Sequence, residues 1–283
     1  MAWLLSVDLE EYFHANALAQ SATVESWTSF PSRVAAQTAR LLEEFSKRSV
    51  TATFFVLGWV AKRHPDLVQR IADEGHGIAS HGWSHTRIPE LDRAAFGEEL
   101  RESKALLEDI TGVEIRGFRA PCFSIIKGTE WAFDELLEAG YSYDSSLFPI
   151  ARPNAGYQGS IPAPHRIERA GGELLELPLA TARIGPLRIP VAGGAYLRHL
   201  PFRYSLLGLQ AAHREHGTVM VYVHPWEIDP DQPRLDVGSL ARIRHYRGLE
   251  TMLGRIGRLC DVMEFQSVEK WLETVDPTTL PVS

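Results

Sequence analysis

The sequence predicts an α/β fold in a single domain that spans residues 1–283. Short apolar runs of strand length alternate with longer segments of helical period, as in a parallel sheet covered by helices. Hydrophobic residues make up 45% and charged residues 23% of the 283 residues, so the chain can bury a sizeable core. One barrel-like domain is the simplest arrangement, because no low-complexity tract or fixed-period repeat interrupts the alternation.

The first half of the chain has the clearest alternation. Continuous apolar runs predict strands at 3–7, 50–58 and 77–80. Apolar residues at helical spacing predict helices at 33–48, 64–75 and 92–112. Pro65 suits a first helical turn, and Gly75 suits the residue that ends the helix.

The second half continues the alternation around an irregular segment. Strands are predicted at 115–120, 173–179, 218–224 and 261–265, and helices at 127–140 and 238–259. Residues 145–200 are rich in Pro and Gly but keep apolar and aromatic residues. We therefore predict that they form an elaborated loop region of the same domain.

Charge and cysteine content narrow the class of protein. The formal net charge is −7, and the basic residues are scattered, which argues against a nucleic acid or an anionic membrane as partner. Cys122 and Cys260 are the two cysteines, too few for a disulfide framework. The N-terminus lacks a signal-peptide pattern and no apolar run reaches membrane-spanning length, so we expect a cytoplasmic protein without a membrane span.

Polar side chains stand at the ends of several predicted strands. They are Asp8, His81, Arg119 and His224. Because the carboxyl ends of the strands of a (β/α) barrel converge on one face, these side chains should meet there. This convergence predicts an active site.

The spacing of two histidines suggests a metal site. His81 and His85 are four residues apart, and a neutral imidazole is the commonest metal ligand. A catalytic metal needs a third ligand, which the acidic segment after the first strand can provide. If that strand continues, Asp8 and Glu10 share one face, so that one could bind the metal while the other takes a proton.

Two other strand ends suit supporting roles. Arg119 could hold Asp8 in a fixed orientation through a forked pair of hydrogen bonds. His224, followed by Pro225 and Trp226, suits a general acid beside an aromatic wall.

Five segments resemble the five motifs of the metal-dependent polysaccharide deacetylases, carbohydrate esterase family 4. In order they are "SVDLEEYF", "SHGWSH", "RAPCFS", "YDSSLFP" and "VYVHPWEID". Three further segments resemble markers of the deacetylases that accompany exosortase and exopolysaccharide gene clusters: "AGGAYLRHLPF", "HPWEIDPDQPR" and "RHYRGLETML". The resemblance covers most of the chain.

The resemblance implies a distorted (β/α) barrel that holds one divalent metal ion, usually zinc. It implies hydrolysis of N-acetyl groups from the amino sugars of an oligo- or polysaccharide, in exopolysaccharide biosynthesis for the subgroup. By position, His81 and His85 match the histidine ligands, Asp8 the catalytic base, Arg119 the residue that orients this base, and His224 the general acid.

The remaining motif positions imply supporting roles. Asp144 matches an acidic residue that tunes the general acid, and the backbone N–H of Cys122 matches an oxyanion donor. The matching walls of an acetyl pocket are Leu147, Phe148 and Trp226.

The first motif departs from the family pattern of two adjacent aspartates. Strand parity predicts Glu10 as the acidic metal ligand, whereas a match of adjacent acids would choose Glu11. Two other functions stay open: hydrolysis of another amide, cyclic or small and N-acylated, and a non-catalytic role in carbohydrate binding or assembly.

Overall fold

One large sheet organises the fold. The structure is a computed structural model and describes residues 1–150, 152 and 155–283. A small part of the predicted loop region 145–200 therefore lies outside the described residues. The strands are β1 (Ala2–Leu9), β2 (Thr53–Val56), β3 (Gly77–Ser80), β4 (Gly117–Phe118), β5 (Tyr143–Asp144), β6 (His165–Arg169), β7 (Gly172–Glu176), β8 (Thr181–Ile184), β9 (Leu187–Pro190), β10 (Thr218–Val223) and β11 (Phe265–Gln266).

The strand order of the sheet is β10-β1-β2-β3-β4-β5-β7-β6, with β11 beside β1. All pairs are parallel except β6 with β7, while β8 and β9 form a separate antiparallel hairpin. The chain after β7 returns to β10 through an isolated bridge between Leu179 and Met220. The Ala180 N–H also donates to the Met220 carbonyl oxygen, at 3.4 Å. The segment that follows β7 thus contacts β10, the strand at the other edge of the sheet. The predicted α/β class is confirmed.

Helices pack around this sheet. They are α1 (Val34–Ser46), α2 (Gly58–Arg63), α3 (Pro65–Asp73), α4 (Arg93–Thr111), α5 (Ala132–Glu138), α6 (Gly194–His199), α7 (Phe202–His216), α8 (Ser239–Tyr246), α9 (Leu249–Val262) and α10 (Val268–Leu272). Pro65 begins α3 as predicted, and Gly75 follows α3 with a φ of +81°. Within the described residues, no helix is long and apolar enough to cross a membrane.

The alternation of side chains along β1 positions the polar site. Leu5, Val7 and Leu9 point outward into the main core, which lies between the sheet and the helices. Leu4 points inward, into a smaller core closed by α10. Because side chains alternate along a strand, Asp8 also points inward, above this smaller core.

Several sequence predictions are corrected. The helix predicted at 238–259 is two helices, α8 and α9, because Gly248 has a φ of +80° and interrupts the helical conformation. Only the last residue of the strand predicted at 261–265 lies in a strand, because α9 continues to Val262 and β11 begins at Phe265. Helix α7 was not predicted, since its buried residues, Ser205, Leu209 and Ala212, form a weak apolar stripe.

Candidate active site

Asp8 and Arg119 form a buried ion pair at the carboxyl ends of β1 and β4. The Arg119 Nη1 atom donates to Asp8 Oδ1 at 2.5 Å, and neither side chain has more than 2% of its surface exposed. Arg119 also donates to the hydroxyl oxygens of Ser6 and Ser145, at 2.9 Å each. Its guanidinium lies 3.9 Å from the centre of the Phe55 ring. These contacts hold Arg119 in one position, and Arg119 orients Asp8.

Glu10, His81 and His85 bring three possible metal-ligand atoms within 4.8 Å of one another. His81 follows β3, and its Nδ1–H donates to the Arg119 carbonyl oxygen at 2.8 Å, which leaves Nε2 free to bind a metal. Burial lowers the pKa of His81 to about 4, so the ring is neutral, as a ligand must be. The Nε2 atom of His85 lies 2.8 Å from Glu10 Oε2.

The donor set fits a divalent cation. Glu10 Oε2 is buried and has no hydrogen-bond partner of good geometry. Such an atom costs free energy unless a charge or a donor satisfies it. Two imidazoles and one carboxylate are also the ligands of known catalytic zinc sites, which keep a further position open for water.

The side chains of Glu10 and Glu11 point in opposite directions, as expected at the end of a strand. Glu10 shares the inward direction of Asp8, whereas Glu11 points the other way and accepts from the backbone N–H of Arg33, at 3.0 and 3.1 Å, and from the Ser32 hydroxyl. Glu11 is therefore engaged away from the histidines. The structure brings Glu10, the predicted ligand, to His81 and His85.

His224 extends from the end of β10 toward the two acidic residues. Its Nε2 atom lies 3.8 Å from Asp8 Oδ2 and 3.6 Å from Glu10 Oε1. Its Nδ1 atom lies 3.2 Å from Glu227 Oε2, and Glu227 in turn accepts from Arg198 Nε at 3.0 Å. Burial alone would lower the pKa of His224, but Glu227 and then the charges of Glu10 and Asp8 raise this pKa to about 9.

Asp144 does not partner His224, which corrects the role that the resemblance implied. Its carboxylate accepts from the backbone N–H and the hydroxyl of Ser146, at 3.0 and 2.6 Å, and shares a hydrogen bond with Glu176. Burial, together with the Asp144 charge, raises the pKa of Glu176 well above its usual range, so Glu176 carries the shared proton. The pair joins the ends of β5 and β7. The carboxylate that lies beside His224 is that of Glu227, not that of Asp144.

Cys122 adopts a left-handed backbone conformation next to the site. Its φ is +57° and that of Phe123 is +55°, a conformation that non-glycine residues rarely adopt. Burial raises the pKa of the Cys122 thiol to about 12, so the side chain is not a nucleophile. The structure therefore leaves only the backbone N–H of Cys122 as a candidate catalytic group.

The predicted acetyl-pocket residues are not equivalent. Phe148 has no exposed surface and packs against Phe123 in the core, with ring centroids 5.9 Å apart, so it is a core residue and not a wall. The Trp226 ring is stacked on one side by His224 and on the other by His245, at 5.0 and 4.4 Å, which leaves neither face for an acetyl group. Leu147 is 4% exposed, and its role as a wall stays a prediction.

Two site residues, Glu227 and Arg198, were missed by the sequence reasoning although both lie in quoted motifs. Glu227 comes three residues after His224, within a short 3₁₀ turn that directs its carboxylate back toward the histidine. A side chain at Gly194 would overlap with this carboxylate, so the glycine of "AGGAYLRHLPF" permits their close approach. The presence of an acidic residue three positions after His224 was the sequence feature that could have indicated this contact.

Family models match both halves of the chain. Residues 26–142 match the model described as polysaccharide deacetylase, and residues 145–273 match one described as a domain of unknown function, DUF3473. Residues 26–142 thus resemble the polysaccharide deacetylase family. Strands from both matched segments lie in one sheet, and β5 at the boundary pairs with β4 and β7.

Curated relatives with deacetylase names match part of the chain. A peptidoglycan-N-acetylglucosamine deacetylase of Bacillus cereus is 29% identical over 35% of this chain and 36% of its own length. A chitooligosaccharide deacetylase of Rhizobium leguminosarum is 42% identical over 23% of this chain and 31% of its own length. The chain spans about a third of the length of these relatives. Their names support the prediction of an N-deacetylase hydrolase.

Solved structures share the fold over nearly the whole chain. A protein of Mycobacterium smegmatis assigned as a polysaccharide deacetylase superposes with a TM-score of 0.65, at 21% identity, over 100% of this chain and 92% of its own. Puue allantoinase superposes with a TM-score of 0.61, at 15% identity, over 98% and 91%. At these identities the likeness concerns the fold alone.

Proposed function

We propose that the protein is a metal-dependent hydrolase that removes N-acetyl groups from the amino sugars of a polysaccharide. The observation that carries the proposal is the position of Asp8 and His224 beside the cluster of Glu10, His81 and His85. An oriented carboxylate and a protonated imidazole thus lie next to a candidate metal site. Hydrolysis of an amide needs such a base, such an acid and an electrophile.

The proposed ligands are Glu10, His81 and His85. A divalent cation held there, zinc in our proposal, would polarise the acetamide carbonyl and lower the pKa of a water molecule. His81 is oriented for this role by its hydrogen bond to the Arg119 carbonyl. Arg119 thereby supports both the metal site and Asp8.

Asp8 is the proposed base. Its Oδ1 atom accepts from Arg119, while Oδ2 faces the side where His224 lies. Oδ2 would remove a proton from the water that attacks the carbonyl carbon. The negative charge that develops on the carbonyl oxygen would be stabilised in part by the backbone N–H of Cys122.

His224 is the proposed acid. Glu227 raises the pKa of His224 and so favours the protonated ring, which can donate a proton to the leaving amine as the C–N bond breaks. Glu227 orients the ring from the Nδ1 side and leaves Nε2 toward the reacting atoms. The products are acetate and a free amino sugar.

The natural substrate is proposed from the names of the relatives and from the motif resemblance. Peptidoglycan and chitooligosaccharides, on which the named relatives act, both carry N-acetylated hexosamines. The resemblance of "AGGAYLRHLPF" and "RHYRGLETML" to the exosortase-associated subgroup favours an exopolysaccharide. A neutral N-acetylated chain also suits the net charge of −7 better than a polyanion does.

The decisive experiment measures acetate release from chitooligosaccharides and N-acetylglucosamine polymers. Protein stripped with a chelator is assayed before and after the addition of zinc, cobalt or nickel. Metal-dependent release is expected. Metal-loaded protein that releases no acetate but hydrolyses cyclic or small N-acyl amides would contradict the substrate class, and stoichiometric sugar binding without any hydrolysis would indicate a non-catalytic protein.

A further inference from the structure

The indole of Trp226 donates a hydrogen bond to the carboxylate of Glu10. The Trp226 Nε1 atom lies 2.9 Å from Glu10 Oε1, and the two residues are separated by 216 positions in the chain. Trp226 is 8% exposed and Glu10 is 2% exposed, so water does not compete strongly for this bond. The contact joins the first strand to the segment after β10.

The Trp226 ring is held on both faces. It stacks on His224 at 5.0 Å with an interplanar angle of 26°, and on His245 at 4.4 Å with an angle of 15°. His245 Nε2 lies 2.7 Å from Gln232 Oε1, and the Gln232 amide donates to the Trp226 carbonyl oxygen at 2.8 Å. The indole N–H therefore has one fixed direction, toward Glu10.

The two oxygens of Glu10 have different surroundings. Oε1 accepts from Trp226, whereas Oε2 faces His85 and has no hydrogen-bond partner of good geometry. A glutamate has one more rotatable bond than an aspartate, so its carboxylate loses more freedom when it is fixed as a ligand. An anchor on Oε1 removes this freedom in advance and leaves Oε2 as the single ligating atom.

We propose that Trp226 is a positioning residue for Glu10, which fixes the glutamate as a ligand through one oxygen and thereby sets the affinity for the cation. This inference rests on the proposed function, since it takes Glu10 as a metal ligand. It assigns the indole a role distinct from the acetyl-pocket wall implied by the resemblance. Gln232 and His245, which hold the indole in place, thereby support the position of Glu10 indirectly.

The test is the dissociation constant for zinc, measured by competition with a chelator in the full chain. Trp226→Phe keeps an aromatic ring and removes the N–H, and we expect its affinity to fall by about 10- to 100-fold, as for other groups that orient metal ligands. Trp271→Phe is the matched control, because this buried tryptophan packs in the smaller core at the opposite end of β1. Its zinc affinity should equal that of the wild type.

A second variant separates the hydrogen bond from packing. Replacement of Trp226 by β-(3-benzothienyl)alanine keeps the bicyclic shape and substitutes sulfur for the N–H. The same loss of zinc affinity with an unchanged melting temperature is expected. Wild-type affinity in this variant would overturn the inference.

A double-mutant cycle with Glu10 locates the effect. In a Glu10→Asp background the shorter side chain withdraws from the indole, so Trp226→Phe should cause no further loss of zinc affinity. An equal loss in both backgrounds would show that the indole acts elsewhere and would overturn the inference. If the wild type binds zinc and releases acetate while Trp226→Phe binds equally well, only this inference fails; wild type that binds no zinc would overturn the proposed function as well.

Discussion

The Nδ1 atom of His224 lies 3.2 Å from Oε2 of Glu227, and both belong to one turn after β10. The backbone N–H of His224 donates to the same oxygen at 3.1 Å. Glu227 is held from the other side by Arg198, and both of these side chains are 1% exposed. The charge state of His224 therefore depends on a buried carboxylate whose own position depends on a buried guanidinium.

The pH dependence of activity should respond to this carboxylate. Glu227→Gln removes the negative charge that raises the pKa of His224, so the pKa falls below about 9. Because the acid must be protonated to act, activity is present below this pKa and lost as the pH rises through it. We expect the basic limb of the kcat/KM profile to move to lower pH, which a series of initial rates across that limb would measure.

Asp144→Asn is the control for this prediction. Asp144 contacts Ser146 and Glu176, so its replacement should leave the basic limb where it is in the wild type. A shift with Asp144→Asn and none with Glu227→Gln would contradict the assignment and favour the role implied by the family resemblance.

Metal binding and proton transfer should separate by mutation. His85→Ala removes one proposed ligand and should lower metal content and acetate release together. Asp8→Asn should keep the metal, because Asp8 lies against Arg119, and reduce turnover by roughly 10²- to 10⁴-fold. Metal analysis of both purified variants beside the acetate assay checks this. Equal metal loss in the two variants would refute the division of roles.

Removal of one partner of the ion pair between Arg198 and Glu227 should lower the free energy of unfolding. Arg198→Met leaves the Glu227 charge buried without its partner, and we expect the free energy of unfolding to fall by about 3–5 kcal/mol. In the double variant Arg198→Met with Glu227→Gln the buried charge is gone, so part of this stability should return. Urea denaturation of the three proteins measures the difference. A double variant less stable than Arg198→Met would contradict the expectation.

The backbone at Cys122 should tolerate glycine better than valine. At a φ of +57° a side chain costs about 1–2 kcal/mol, which glycine does not incur. Cys122→Gly keeps the proposed oxyanion N–H and should therefore retain activity and much of its stability. Cys122→Val should lower the melting temperature, since a β-branched residue is least compatible with this conformation. Loss of activity in Cys122→Gly with an unchanged fold would show that the thiol itself contributes.

Patterns local to the sequence predicted the frame of the molecule. The apolar alternation predicted the strands at 3–7, 77–80 and 218–224 and the helices at 33–48 and 92–112, which the structure confirms within a few residues. These elements depend on which residues lie two or four positions apart, and that information is present in the chain itself. The irregular region 145–200 contains more regular structure than predicted: besides β7, which matches the strand predicted at 173–179, it contains β6, β8, β9 and α6. Its Pro and Gly content concealed two short antiparallel hairpins, β6 with β7 and β8 with β9.

The sequence by itself determined that Asp8 and Glu10 share a face of β1, because side chains alternate along a strand wherever it lies. Only the tertiary structure decided which carboxylate meets His224 and what Trp226 contacts. Asp144 and Glu227 were both acidic residues near strand ends. The register of β5 with β7 places Asp144 against Glu176, while a short turn brings Glu227 to the imidazole. The bond from Trp226 to Glu10 joins residues 216 positions apart, and such contacts exist only once the strands have been brought side by side.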